Sequence, residues 1–165
     1  MRRYIVPLAW IMAGVIIFTW LYVENIYPLD LAIGYISRAQ AAGYAEDAAQ
    51  YLRQALPLIP STGNPVWIFP TSRTDFQLIH KDLDGILGRL SVISGLASDM
   101  SAYSQALNDI RGRLAVIVGH IGEAMPYTIL SPANLGIFLI WILSLPAAYR
   151  LRAYLRMRSP LKAVQ

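Results

Sequence analysis

A histidine and two carboxylates in the second half of the chain have the residue types of a metal site. His120 stands three residues before Glu123, a spacing that places both side chains on one face of a helix. If this helix pairs with its predecessor in an antiparallel hairpin that turns near residue 97, Asp75 comes close to both. Imidazole and carboxylate groups together can bind a divalent metal ion. We expect no metal site, and Asp75, His120 and Glu123 are the candidate ligands if there is one.

Hydrogen bonding at a helix–helix seam is the alternative role for the histidines. His80 and His120 are the two histidines of the chain, and both neighbour the apolar stripes described next. The chain has no cysteine, which excludes thiolate metal sites and cysteine nucleophiles. It also lacks a glycine-rich phosphate loop, a nucleophile elbow and a zincin motif. We therefore expect no catalytic residue and no cofactor, and we do not expect the chain to be an enzyme.

Two stripes of apolar residues define the helices that would position these groups. The first stripe steps by three and four residues through Phe76, Ile79, Leu83, Ile86, Leu90 and Ile93. The second stripe continues in the same way through Tyr103, Leu107, Ile110, Leu114, Ile117 and Ile121. This spacing predicts two amphipathic helices within residues 72–125, the first of them capped by Ser72. Gly95 favours a helical hairpin, and one continuous helix is the alternative.

An earlier helical hairpin is predicted over residues 30–56. Asp30 can cap its first helix, and the acidic pair Glu46–Asp47 suits the first turn of its second helix. The segment resembles the second half of a tetratricopeptide repeat at Gly43, Ala48, Leu52, Ala55 and Pro60. The first half of that repeat is not matched and no second copy follows. The resemblance therefore implies a helical hairpin of similar geometry and no repeat array.

Residues 57–71 form one long irregular segment with an apolar tip. Four prolines and a Ser-Thr-Gly-Asn turn signal rule out a helix there. The tip consists of Val66, Trp67, Ile68 and Phe69. Three roles are open: the tip covers the core of its own domain, binds a partner subunit, or inserts at a membrane interface. Because an exposed apolar patch usually marks an interaction site, these four residues are the candidate partner-binding residues.

Two charge-free stretches are long enough to cross a lipid bilayer. Residues 4–23 would form a helix of about 30 Å, which matches the hydrocarbon thickness of a membrane. Residues 132–149 would span about 25 Å after a helix start at Ser131–Pro132. Charged residues make up 15% of the chain, against about 25% in soluble proteins. We therefore predict two transmembrane helices; a buried core helix is the alternative for each, and a signal peptide for the first.

The predicted spans contain no ionisable residue. Transporters and proton relays normally place charged groups at membrane depth, so a carrier function is not expected. Small residues recur four positions apart, Ala9 with Ala13 and Ser144 with Ala148. Such spacing allows neighbouring helices to approach closely.

Charge is divided unevenly between the ends and the middle of the chain. Residues 1–3 and 150–165 carry seven of the 14 basic residues and no acid, whereas all 10 acids lie between the spans. The positive-inside bias then predicts a multi-pass protein of the plasma membrane with both termini in the cytoplasm. The candidate membrane-surface residues are Arg150, Arg152, Arg156, Arg158 and Lys162. Since the basic charge lies in the tails, nucleic acid is not an expected partner.

The predicted fold is an all-α membrane protein whose two transmembrane helices flank an extracytoplasmic bundle of about four helices, within residues 24–131. The expected function is that of a non-catalytic accessory or scaffolding subunit that binds other membrane subunits or itself, with membrane lipid as a further partner. The alternative is a ligand-sensing module, because the layout resembles the input half of chemoreceptors and sensor kinases. Only sixteen residues follow Tyr149, so a separate partner would carry its signal. A metal-dependent enzyme of the outer face is the third hypothesis.

Overall fold

The computed structural model describes residues 5–97 and 100–158. Helices make up 83% of the described residues, and these ranges contain no strand, so the fold is all-α as predicted. The α-helices of the described ranges are α1 (Ile5–Asn25), α2 (Tyr27–Ala41), α3 (Ala45–Ala55), α4 (Phe76–Ile93), α5 (Ser101–Ile129) and α6 (Pro132–Arg158). Short 3-10 turns at Leu56–Leu58 and Ser72–Thr74 flank the irregular segment.

The chain divides into two compact units. The two-helix unit takes residues 1–21 and 132–165, and the core unit takes residues 22–131. Helices α2, α3, α4 and α5 enclose one apolar core within the core unit. Small alanines fill the α2–α3 part of that core, and both predicted stripes fill the α4–α5 part. Every residue of the two stripes is at most 7% exposed, so the heptad spacing identified the buried faces of α4 and α5.

Two separate helices, α4 and α5, occupy the segment that the sequence assigned to a hairpin or to one long helix. The end of α4 is prolonged by main-chain hydrogen bonds: the Ser94 N–H donates to the Leu90 carbonyl at 2.9 Å. The Leu96 N–H likewise donates to the Ile93 carbonyl at 2.8 Å. These bonds carry the helical turns beyond Ile93 as far as Leu96.

Two helices begin at residues other than the predicted caps. Helix α2 begins at Tyr27, so Asp30 lies in its first turn and does not cap it. The reason is Pro28, which needs no N–H donor in a first turn and therefore starts this helix. Helix α4 is capped by Asp75, whose carboxylate accepts the Gln77 N–H at 2.9 Å. The predicted cap, Ser72, opens the preceding 3-10 turn instead.

The long apolar helices α1 and α6 could each cross a membrane by length and composition. Their apolar side chains are mostly exposed, for example Ile16 at 65% and Ile140 at 72%, whereas those of a soluble core helix would be buried. Helix α6 runs past Tyr149 to Arg158, so the basic segment prolongs this helix. Residues 147–158, which follow Pro146 within this helix, contain no proline or glycine, and this allows the extension. Residues 1–4 and Lys162 lie outside the described residues.

A pair of tryptophans joins α1 to α6. The rings of Trp10 and Trp141 stack with their centroids 4.1 Å apart and 7° between their planes. Each indole N–H donates to the main-chain carbonyl of the other residue, at 2.9 Å from Trp10 and 3.2 Å from Trp141. Phe18 meets the Trp141 ring edge-on. Gly14 makes room for this packing, because a Cβ atom there would overlap the Trp141 ring.

Candidate functional site

The apolar tip belongs to a loop whose neck is closed by polar side chains. Within this apolar loop (residues 64–71), the Asn64 amide donates to the Thr71 carbonyl at 2.7 Å. The Asn64 side-chain oxygen accepts the Thr74 hydroxyl at 2.9 Å and the Val66 N–H at 3.1 Å. Thr74 itself is buried. The two ends of the loop are therefore tied together, as in compact surface loops that carry function.

The neck of the apolar loop is also tied to the start of α4. The Gly63 carbonyl accepts the Phe76 N–H at 3.0 Å, which satisfies one of the free donors at that helix terminus. Gly63 has a φ angle of 99°, a conformation that only glycine adopts without strain. The loop thus rests on a helix end and on a glycine turn, and the core beneath it is not needed to hold its tip.

The tip of the apolar loop points away from the core. Exposure rises along it, from 47% at Trp67 through 58% at Ile68 to 79% at Phe69, while Val66 is half-buried. None of the four belongs to the buried core cluster. The role of covering the core of the domain therefore does not apply to Ile68 and Phe69. Burying a side chain of this size is worth about 1.5–3 kcal/mol, so the tip keeps a driving force for binding.

The apolar loop lies at the end of the core unit where the chain enters and leaves it. The Trp67 indole N–H donates to the Leu130 carbonyl at 2.9 Å, and Leu130 is the residue that ends α5. Two residues earlier, the Thr128 hydroxyl donates to the carbonyl of Asn25 at 3.2 Å, and Asn25 is the last residue of α1. The tip, the end of α1 and the end of α5 are therefore neighbours.

The predicted metal ligands do not form a cluster. In the part of the chain that the structure describes, no three His, Asp or Glu side chains are grouped so that they could hold a metal ion. Asp75 caps α4, and His120 lies in a groove beside Lys81 and Asp82. Asp75, His120 and Glu123 are therefore not grouped among the described residues, and a metal site there stays a prediction from the sequence.

His80 makes the hydrogen bond that was the alternative to metal binding. Its Nε2 atom lies 2.9 Å from the Ile59 carbonyl, at the point where the chain leaves the first 3-10 turn, Leu56–Leu58, and enters the irregular segment. His80 thus fixes the start of that segment to α4, and this contact is structural.

A shallow groove follows the seam between α4 and α5. Two adjoining cavities of about 400 and 440 Å³ share Gly85 and Arg89. A Cβ atom at Gly85 or at Gly88 would meet nothing within 4 Å, so both glycines leave the groove open. The exposed side chains of Val92 and Val116 add apolar surface to its lining. We call this surface the α4–α5 groove.

A polar cavity of about 420 Å³ lies between the α2–α3 turn and α5. The Arg111 guanidinium donates to the Ala42 carbonyl at 2.6 Å and to the Asn108 side chain at 2.9 Å. Its Nε atom is buried and has no hydrogen-bond partner among the described residues. The Tyr103 hydroxyl accepts the Ala45 N–H at 2.8 Å beside it. The cavity therefore offers a partly unsatisfied cation to a small ligand.

Comparisons of the chain with protein-family models, with curated proteins and with solved structures found no match. The candidate sites are thus defined by geometry alone. Sequence reasoning found the four tip residues but missed Asn64, Thr71 and Thr74, which hold the neck. The Gly63–Asn64 turn signal was the hint that the sequence offered. The hydrogen bond from Asn64 to Thr71 spans seven residues and leaves no periodic pattern that could reveal it.

Proposed function

We propose that this protein is a non-catalytic accessory or scaffolding subunit of a membrane protein complex. Helices α1 and α6 anchor it in the plasma membrane, and the core unit lies on the outer side with both termini in the cytoplasm. The charge-free faces of α1 and α6 and the basic residues at the chain ends support this placement. Release of the protein from membranes by a carbonate wash would contradict the anchoring.

The α4–α5 groove is the observation that carries the partner-binding part of the proposal. Its glycines, Gly85 and Gly88, stand nearly one helical turn apart and leave room for another backbone to approach. Its apolar lining is of the kind into which an amphipathic helix places its apolar face. Asp109 accepts hydrogen bonds from Arg89 at 3.4 Å and from Arg113 at 3.2 Å along the seam. These charges can set the register of a bound helix. We assign the groove to a helix of a partner subunit.

Purification of the tagged full chain from native membranes in mild detergent tests this function. Gly85→Leu fills the groove, whereas Gly34→Leu adds the same side chain at an exposed position of α2 that also has open space. We expect a co-purifying subunit with the parent chain and with Gly34→Leu, and its loss with Gly85→Leu. A stable monomer without any co-purifying chain, or equal retention by both variants, would count against the proposal.

A ligand-sensing module is the second candidate function, and the polar cavity at Arg111 favours it. The buried Nε atom of Arg111 lacks a partner among the described residues, and a carboxylate or phosphate could supply one. The helix-end contact with Ala42 gives this arginine a structural role as well. A rise in melting temperature on adding acetate or inorganic phosphate, lost in Arg111→Gln, would support sensing. No shift with either anion would leave the contact with Ala42 as the role of Arg111.

A further inference from the structure

We propose that the apolar loop inserts its tip into the interfacial layer of the same membrane that α1 and α6 cross. The ligand of this surface is lipid, and the inserted residues are Trp67, Ile68 and Phe69. The inference rests on the membrane anchoring proposed above. It assigns to the tip a role other than binding the partner helix, which occupies the α4–α5 groove.

The chain path limits how far the tip can be from the membrane. The Trp67 indole is bonded to the Leu130 carbonyl at 2.9 Å, and only Ser131 separates Leu130 from Pro132, where α6 begins. Two residues of chain reach at most about 7 Å. The polar layer on each side of the hydrocarbon core is about 5–8 Å deep. When the membrane span begins at Pro132, the chain path therefore keeps the Trp67 indole within reach of this layer.

The contact between Asn25 and Thr128 ties the second membrane helix to the same place. Because α1 ends at Asn25, both apolar helices start from the end of the core unit that carries the apolar loop. Both membrane helices are therefore joined to the core unit beside the apolar loop, and these two connections keep the exposed tip close to the lipid surface.

Several N–H donors of the apolar loop already have acceptors within the protein, which lowers the free-energy cost of moving the tip into a layer of low polarity. The Trp67 indole N–H is satisfied by Leu130, the Trp67 main-chain N–H by the Pro65 carbonyl at 3.0 Å, and the Val66 N–H by Asn64. Pro65 and Pro70 have no N–H to satisfy. Unpaired donors make insertion of a loop costly, and most donors of this loop are paired or missing. Tryptophan is moreover enriched at membrane interfaces.

Charge also favours lipid over a protein partner for the tip. Residues 54–72 contain no charged side chain, and the nearest charges on either side are the basic residues Arg53 and Arg73. A specific protein interface normally carries a polar rim that reads its partner. A charge-free apolar tip lacks such a rim and suits the interfacial layer of a membrane instead.

Site-directed fluorescence in vesicles tests the insertion, because the chain has no cysteine and each introduced thiol is unique. The full chain is reconstituted in phosphatidylcholine–phosphatidylglycerol vesicles with an environment-sensitive fluorophore on Phe69→Cys. Glu46→Cys, at an exposed position of α3, is the control for the core unit, and Ile140→Cys on α6 is the control for anchoring. Lipids with a nitroxide near the headgroup serve as quenchers.

We expect a blue-shifted emission and nitroxide quenching at Phe69→Cys, quenching at Ile140→Cys, and neither effect at Glu46→Cys. Asn64→Ala opens the neck of the loop, and we expect it to remove most of the quenching at position 69 without changing that at position 140. Quenching at position 140 together with none at position 69 would overturn the insertion and leave the anchoring intact. No quenching at either position would overturn the anchoring itself, and the insertion with it.

Discussion

Gly14→Ala is expected to weaken the packing of α1 against α6, because this glycine faces the Trp141 ring. A Cβ atom at position 14 would lie 2.9 Å from Trp141 Cε2 and would overlap another atom of the same ring. The ring cannot simply move aside, since it stacks on Trp10 at 4.1 Å and exchanges two indole hydrogen bonds with it. Any shift that admits the methyl group must loosen these three contacts together.

The size of the effect follows from those contacts. An aromatic stack is worth about 0.5–1.5 kcal/mol, and a hydrogen bond between membrane helices averages about 0.6 kcal/mol. Forcing an additional methyl group into a well-packed contact costs about 1–3 kcal/mol, which agrees with the sum of the stack and the two hydrogen bonds. Alanine also favours the helix by about 1 kcal/mol relative to glycine, and this gain opposes the loss. The matched control is Gly136→Ala on α6, where a Cβ atom meets nothing within 4 Å and only the gain applies.

Unfolding of the full chain in mixed micelles, by stepwise addition of a denaturing detergent, measures the difference. Near-ultraviolet circular dichroism follows the stacked indoles directly. We expect Gly14→Ala to be less stable than Gly136→Ala by about 1–3 kcal/mol, with a weakened indole signal. Equal stability of the two variants, with an unchanged indole signal, would refute the assignment of Gly14 and the tryptophan pair as the contact between α1 and α6.

Three further substitutions in the core unit have effects of different size, each measurable by thermal unfolding of the full chain. Tyr103→Phe leaves the buried Ala45 N–H without its acceptor, and we expect a loss of about 1–3 kcal/mol. Asp75→Ala removes the cap on the Gln77 N–H at the start of α4 and is expected to cost about 1 kcal/mol. Asp109→Asn removes two exposed ion pairs and is expected to cost less than about 1 kcal/mol.

Each of these substitutions has a control within the chain. Tyr44→Phe removes an exposed hydroxyl next to the same turn and is expected to leave stability unchanged, as is Asp84→Ala at an exposed position of α4. The effect of Asp109→Asn is expected to vanish at about 1 M salt, where screening acts over about 3 Å. A Tyr103→Phe variant as stable as Tyr44→Phe, or a salt-independent Asp109→Asn effect, would contradict the roles given to these residues.

The heptad stripes show which part of the fold could be predicted from the sequence. A helix that packs by one face must repeat apolar residues every three or four positions, so Leu83 and Leu114 were identified as buried from spacing alone. Helix length and apolarity similarly identified α1 and α6 as helices that could cross a membrane. These features are local and repetitive, and several residues contribute to each of them.

Contacts made by single residues across long separations could not be predicted. Gly14 and Trp141 are far apart in sequence, and the regular spacing of Ala9 with Ala13 suggested a different contact surface on α1. The three-residue neck of the apolar loop depends on one asparagine, Asn64, whose partners follow no period. The groove that Lys81 and Asp82 share with His120 depends on where α4 and α5 end, and no periodic pattern in the sequence gives those ends.

The two proposed contacts of the core unit depend on different forces, and a salt series therefore separates them. The α4–α5 groove is bordered by Arg89, Asp109 and Arg113, so its association with a partner helix includes electrostatic steering that falls with ionic strength. The tip at Phe69 is uncharged, and apolar burial does not weaken as salt is added. Raising the salt to about 1 M, where the Debye length is about 3 Å, is expected to reduce co-purification of the partner and to leave lipid quenching at position 69 unchanged. If quenching at position 69 fell in parallel with co-purification, the tip would depend on the partner subunit, and lipid would not be its primary ligand.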